Sequence, residues 1–284
     1  VAAAPAVIRR LELAAAKSVL LSPSELLSRL EGRLCFLSAT VDDVPHRHRT
    51  LRATVQWSYE LLDAQERTTL CKLAVFAGGW SHDTAQIVFG ADLDAIENLV
   101  KKSFVRVANG RFGMLELIRE FGLEQLEADA AQATNVRRLH RDYFLALVEQ
   151  QHLAQSASPM NWRMSFQELE VEHENIHAAL LFSAQSLEGQ EGHAAALRFC
   201  AALRLYWTSR WHCQEGLRAC LLALSGRRAN SDQAAIASTL WAAASVSTFV
   251  GDLDRAASFY EEALALFKER VMPGAEAMVV SDIG

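Results

Sequence analysis

The stretch Gly251-Asp252-Leu253-Asp254-Arg255-Ala256-Ala257-Ser258-Phe259-Tyr260-Glu261-Glu262-Ala263, entered from Leu240 to Val250, decides how this chain folds. Apolar residues recur at helical spacing on both sides of Gly251-Asp252, so the segment reads as two helices joined by a tight turn that glycine permits. Ala256 and Ala263 are small enough to let those helices approach closely, and Tyr260 fills the space between neighbours. Glu261 and Glu262 are left for solvent. A pair of this kind buries its apolar face only by stacking on other pairs, which predicts an array.

Working outward, a weaker copy runs from Ala195 to Leu224. Ala223 takes the small position there, and Trp211 stands where the turn glycine is expected. Met278 to Gly284 reads as the first helix of a further pair, cut short, which suggests a fragment of a longer chain. From Asn135 onward the pattern is paired helices without strands. Residues 131–284 are therefore expected to form helical repeats.

Composition agrees with a mainly α class. The chain has 284 residues, 51% of them hydrophobic, with only five prolines and fourteen glycines to interrupt helices. A net charge of −6 lacks the overall basic field that nonspecific nucleic-acid or anionic-membrane binding requires. Cys35, Cys71, Cys200, Cys213 and Cys220 form no C-x-x-C pair and no even-numbered framework, as expected of reduced thiols in the cytoplasm. At the start, Arg9 and Arg10 follow the apolar Val1-Ala2-Ala3-Ala4-Pro5-Ala6 run, the reverse of a secretory signal. Gln233 to Gly251 carries no charge, yet Ser238, Thr239, Ser245, Ser247 and Thr248 interrupt it and alanine outnumbers leucine. It is expected to be a buried helix, with no membrane span.

The first half divides at a polar stretch, Ser38 to Arg49, read as a linker after two helices at Leu11–Ala16 and Ser24–Leu34. Beyond it, Leu51, Val55, Tyr59 and Leu62 line one helical face. Asp63 and Glu66 resemble a capping box opening a second helix with Leu70, Leu73 and Phe76 inward, ended by Gly78-Gly79. Ser81 can cap a third helix, and Asp92 or Asp94 can begin a fourth that buries Ile96, Leu99 and Val100. Asn109-Gly110 between Phe104–Val107 and Arg111–Met114 is a hairpin signal, because both turn residues must accept positive φ. Leu115, Ile118, Phe121 and Leu126 then return to helix. Several helices, a hairpin and a closing helix outline a winged-helix domain at 46–130.

Two stretches, Arg49 through Leu62 with Trp57-Ser58-Tyr59-Glu60-Leu61-Leu62, and Leu73-Ala74-Val75-Phe76-Ala77-Gly78-Gly79-Trp80, point to a family. With Leu115-Glu116-Leu117-Ile118-Arg119-Glu120-Phe121 and Glu172-His173-Glu174-Asn175, the chain resembles the bacterial STAND regulators, signal-transducing ATPases with numerous domains. The resemblance implies an NB-ARC-like nucleotide module, then a helical bundle, a winged helix and tetratricopeptide-like sensor repeats. Residues 1–45 would be the C-terminal helical part of the NB-ARC-like module plus linker, 46–130 the winged helix and 131–284 the repeats. Two departures matter. Ile8 occupies the proline position of the family's G-x-P motif, with Pro5 out of register. Met114-Leu115-Glu116 aligns with the nucleotide-sensing M-H-D motif, and an aliphatic Leu115 cannot donate to a phosphate. No nucleotide contact is carried over to either place.

The chemistry-bearing residues support a non-catalytic chain. A phosphate-cradling loop needs G-x-x-x-x-G-K-[ST], and no Gly-Lys pair occurs. Asp42-Asp43 after Val41 sits beside Pro45 in the linker rather than at a strand end. ATP or ADP and Mg²⁺ are expected only in an upstream module, so no cofactor is expected here. His173-Glu174-Asn175-Ile176-His177 is a literal H-E-x-x-H, which on a helix places two imidazoles one turn apart. A zinc protease would need a third ligand, for which Glu188, Glu191 and His193 are the downstream candidates. The family resemblance accounts for the motif as an ordinary solvated helix face, and no metal site is expected. Cys213 and Cys220 share a face as small buried hydrophobes. Tyr206, Trp207 and Trp211 are read as packing between repeat helices. Asp92, Asp94 and Glu97 would repel phosphates, against a modest basic group of Lys101, Lys102, Arg106 and Arg111, so direct DNA contact is not expected.

The function expected is that of a regulatory piece, with a protein or small-molecule inducer on the repeats and the upstream nucleotide module as partners. Two alternatives stand beside it. One is an ATP-hydrolysing regulator whose nucleotide contacts extend into this chain, and the other a stand-alone protein-binding scaffold.

Overall fold

The computed structural model describes residues 51–157, 162–185, 189–226 and 232–283. The helices expected at Leu11–Ala16 and Ser24–Leu34, the linker, Asp42-Asp43 and Glu188 lie outside the described residues. Among the described residues there are thirteen helices and one two-stranded antiparallel sheet, so the class is mainly α. The chain separates into two compact units, with the division between Val136 and Arg137.

The first unit holds α1 (Leu51–Glu60), α2 (Ala64–Leu73), α3 (His82–Phe89), α4 (Leu93–Lys101), β1 (Arg106–Ala108), β2 (Arg111–Gly113), α5 (Glu116–Glu127) and the first turns of α6 (Ala130–Ala157). The expected capping box opens α2. Asp63 Oδ1 accepts from the Glu66 backbone N–H at 2.8 Å, and Glu66 Oε2 accepts from the Asp63 N–H at 2.9 Å. Glu66 is itself buried, and Lys102 just after α4 donates to its Oε1 at 2.6 Å, so one carboxylate ties the end of α4 to the start of α2.

Helix α2 stops at Leu73 and not at Gly78-Gly79. Ala74 closes it, and tighter bonds from the Val75 and Phe76 N–H groups to the Lys72 and Leu73 carbonyls turn Phe76 inward. There Phe76 stacks on Trp80 with ring centroids 5.5 Å apart, and both are fully buried. Gly79 has φ +96°, and a Cβ on it would lie 2.6 Å from the Phe112 carbonyl oxygen. Only glycine lets the chain pass this close to β2. As a result Trp80 pairs with Phe112 through two 2.8 Å backbone bonds, a third extended element beside the hairpin that periodicity did not signal.

The hairpin itself follows its turn residues. Asn109 and Gly110 take φ of 52° and 76°, with Arg106 opposite Gly113, Val107 opposite Phe112 and Ala108 opposite Arg111. Ser81 Oγ accepts from the Thr84 N–H and caps α3; Asp92 holds the N-cap position of α4 without a side-chain bond. Ile96, Leu99, Ile118, Phe121 and Leu126 are buried as their spacing predicts. Cys71, Val75, Leu126, Ala133 and Val136 close the core against Tyr59, Phe89 and Leu123.

The second unit holds the rest of α6, then α7 (Trp162–Val171), α8 (His173–Gln185), α9 (Gln190–Arg210), α10 (Cys213–Ser225), α11 (Gln233–Val250), α12 (Leu253–Glu269) and α13 (Pro273–Ile283). Helices α8, α10 and α12 begin at His173, Cys213 and Leu253, forty residues apart. The same step relates Ile176 to Gly216 and Ala256, Leu180 to Cys220 and Tyr260, and Ser183 to Ala223 and Ala263, all of them buried. Three successive pairs thus share one register, one more than the sequence revealed. Trp211 occupies the place of Gly251 and adopts the same left-handed backbone, with φ 64° against 88°. A bulky residue there is strained by about 1–2 kcal/mol, and Trp211 stays 81% exposed.

Helix α11 packs on α9, α10 and α12, and Ala242, Ala243 and Ala244 are fully buried. By length and composition it is the helix among the described residues that could cross a membrane, yet ten of its eighteen residues are buried by protein. Thr239 Oγ1 donates to the Leu197 carbonyl of α9 at 3.1 Å, or to its own helix at Ala235. Arg204 lies 3.9 Å over the Trp241 ring, and Asp282 of α13 accepts from Trp241 Nε1 at 2.8 Å.

Gly216 marks where α9 and α10 come closest, since a Cβ would sit 2.5 Å from Trp207 Cδ2. Gly216→Val is expected to destabilise the chain by roughly 1–3 kcal/mol through overpacking, and Gly274→Ala, which meets nothing within 4 Å, to change it by under about 0.5 kcal/mol. Chemical denaturation of both variants checks this, and equal midpoints would contradict the close approach.

Candidate functional site

The turns of the repeat array bring together groups far apart in sequence. His173 and His177 lie one turn apart on α8 and so share a face. Glu215 sits in the first turn of α10, His212 in the turn before it, Tyr206 in the last turn of α9 and Glu170 in the last turn of α7. The Glu215 carboxylate spans both α8 histidines, with Oε2 3.2 Å from His173 Nε2 and Oε1 3.1 Å from His177 Nδ1. The other His173 nitrogen, Nδ1, is 3.0 Å from Tyr206 Oη, and that hydroxyl donates to Glu170 Oε2 at 3.1 Å. Nδ1–H therefore donates to Tyr206, whose own O–H donates to Glu170. The His212 ring stacks on His173 with centroids 4.3 Å apart, and its buried Nε2 makes no hydrogen bond, lying 3.5 Å from Glu170 Oε1.

The electrostatics follow. Burial pushes the Glu215 carboxyl up, but hydrogen bonds from His173 and His177 outweigh it and hold the group well below the usual carboxylate range. The hydrogen bond to Glu215 raises His173 against the opposing effect of burial. Burial, reinforced by the Glu170 charge, pushes the Tyr206 phenol far up, so it stays a neutral donor.

These positions correct the expectation of a solvated helix face for H-E-x-x-H. Both histidines are half-buried and engaged, because α10 of the next pair packs its first turn against them. The downstream candidates for a third group do other work. Glu191 accepts from Arg141 at 2.7 Å, and His193 is buried in α9 beside Gly226. The groups that do converge, His212, Glu215, Tyr206 and Glu170, were not singled out as ligands. The forty-residue register is the signal that finds His212 and Glu215, since His212 stands in the slot of Asp252 at the start of a second helix.

The remaining candidates separate. Tyr206 and Trp207 are buried as packing residues, whereas Trp211 is exposed and does not join them. Cys213 and Cys220 are buried on one face as expected; burial and the adjoining Cys200 thiol push Cys220 well up, leaving no reactive thiolate. Lys101 pairs with Glu97, Lys102 with Glu66, and Arg111 donates to the Gly79 carbonyl, so much of the basic group is internally engaged. Asp92 and Asp94 are exposed at the start of α4. Met114 is buried, Leu115 is exposed, and Glu116 is held low by its bond from Arg119.

No family model matches the chain. An uncharacterized protein of Mycobacterium tuberculosis is 40% identical over 139 residues, covering 43% of this chain and 35% of its own length. A second Mycobacterium tuberculosis protein, named "Putative HTH-type transcriptional regulator", is 33% identical over 220 residues, 73% of this chain and 24% of its own length. The chain thus spans about a third of the first and a quarter of the second. Among solved structures, a STAND protein with a tetratricopeptide repeat sensor from Pyrococcus horikoshii is 15% identical, with 95% of this chain and 55% of that one covered and a TM-score of 0.30. A superposition that loose carries no weight.

A buried histidine elsewhere in the second unit sets an acid limit. His140, within 3.4 Å of Asn175 Oδ1, is held down to about 4, chiefly by burial. Between pH 6.5 and 4 the unfolded chain takes a proton there that the folded chain refuses, so stability intact above 6.5 is lost as pH falls. His140→Gln, which keeps an amide partner for Asn175, is expected to flatten this limb by on the order of 2–3 kcal/mol. Denaturation midpoints across that range test it, and parallel curves would contradict it.

Proposed function

We propose that this chain is the non-catalytic relay and sensor portion of a STAND-type transcriptional regulator acting in the cytoplasm. The single observation that carries this reading is the forty-residue succession of helix pairs following a hairpin-bearing helical unit. Residues 46–130 serve as a winged-helix relay, and 131–284 as tetratricopeptide-like repeats that hold a protein or small-molecule inducer. The name of the Mycobacterium tuberculosis relative matched over 73% of the chain supports the regulatory part of the reading. In this reading ATP or ADP and Mg²⁺ bind an NB-ARC-like module in another part of the protein, and no covalent step occurs on this chain.

The mechanism is a change of packing. An inducer with unequal affinity for two arrangements of the protein shifts the population toward the one it binds better, by no more than that difference in affinity. The fit between the winged helix and the nucleotide module is what changes between them. Buried, uniformly registered helix pairs suit this task, because packed interfaces switch between discrete arrangements rather than deforming smoothly.

Two measurements test the reading. Calorimetry of the 284-residue chain with ATP and Mg²⁺ is expected to give no saturable heat; micromolar binding would place nucleotide contacts in this chain. In the full-length parent, deleting 137–284 is expected to shift basal ATP turnover several-fold, and wild-type turnover after the deletion would remove the repeats from regulation.

A further inference from the structure

We propose that His173, His212 and Glu215 together bind one divalent transition-metal ion of the zinc class, at the junction of two successive helix pairs. One donor atom from each residue lies within 4.8 Å of the other two. Two imidazoles with one carboxylate suit zinc, whereas calcium and magnesium select sets built from oxygen alone. A set of three protein ligands leaves a fourth tetrahedral position open to water.

The hydrogen bonds already prepare the ligands. With Nδ1–H of His173 committed to Tyr206 at 3.0 Å, its Nε2 is the nitrogen left to face Glu215 Oε2 at 3.2 Å. The Nε2 proton donates to Glu215 in the metal-free arrangement, and a metal ion would take that proton's place between the same two atoms. Tetrahedral bonds of about 2.0–2.1 Å place neighbouring ligand atoms about 3.3 Å apart, close to the 3.2 Å between His173 Nε2 and Glu215 Oε2, while the His212 atom lies within 4.8 Å of both and must close in on the ion. Imidazoles that ligate metals characteristically donate their other N–H to a fixed partner, and the Tyr206–Glu170 relay is such a partner. His212 adds a buried ring nitrogen with no hydrogen bond, 3.5 Å from Glu170 Oε1. The carboxylates of Glu170 and Glu215 together balance a double positive charge, and His177 holds the outer oxygen of Glu215 at 3.1 Å as a positioning residue.

This set differs from the metalloprotease motif that the sequence spells. Only the first histidine of H-E-x-x-H takes part, Glu174 is exposed, and the other ligands come from the next repeat. The ion would join the start of α8 to the start of α10, so its occupancy would govern how firmly two repeats hold together.

The test uses the untagged 284-residue chain, stripped of metal with a chelator and titrated with Zn²⁺ in competition with a chromophoric chelator. One saturable site at micromolar concentration or tighter is expected. His212→Asn and Glu215→Gln are each expected to weaken it tenfold or more, Tyr206→Phe by less, and His82→Asn in the first unit not at all. Far-ultraviolet circular dichroism identifies any variant that fails to fold; His212→Asn, a change in a turn, then decides. Absence of saturable binding, or affinity unchanged in folded His212→Asn, would overturn the proposal, as would loss on His82→Asn alone.

Discussion

An uncharged helix must be surrounded, and in the second unit that requirement organises everything near it. Gln233–Val250 has no side chain able to hold a charged surface toward water, so its apolar area is stabilised only by neighbours that exclude water from it. Close approach makes this possible. Ala242, Ala243 and Ala244 present little more than backbone to α9, α10 and α12, and the small positions Ala256 and Ala263 answer them from α12. The pair before it solves the same problem with Gly216 and Ala223, at the cost of a strained Trp211 where the later pair has Gly251.

The polar cluster is a by-product of that register. Once second helices begin every forty residues, their first turns face the preceding pair at matching heights. Residues with no sequence proximity, His173 and Glu215 among them, are then brought within hydrogen-bond reach. The first unit shows the same economy on a smaller scale, where Glu66 both completes a helix cap and receives Lys102 from the end of another helix.

Legibility from sequence follows the range of the interaction. Signals written within a few residues were readable: the Asp63/Glu66 box, the Asn109-Gly110 turn, the Gly251 turn and the small positions of α12. Where a distant backbone decides the outcome, local pattern misled. Helix α2 ends at Leu73 because Phe76 is drawn onto Trp80 and Gly79 passes under Phe112, and neither partner is visible from Leu70 or Gly78. The H-E-x-x-H histidines looked solvated for the same reason, since their cover comes from Glu215 and His212 on the next repeat. Trp211 was correctly placed at a turn yet wrongly grouped with Tyr206 and Trp207, because a left-handed backbone swings its ring to solvent.

The chain order of α11 and its cover has a consequence for biosynthesis. Polypeptides fold as they leave the ribosome, from the N-terminal end. Helix α11 therefore emerges while α12, which supplies Ala256, Tyr260, Ala263 and Phe267 to the core, is still inside the exit tunnel. During that interval an uncharged stretch as long as a membrane-inserting segment stands partly bare, covered only by α9 and α10. The nascent chain thus bares, for that interval, apolar surface that the finished fold buries.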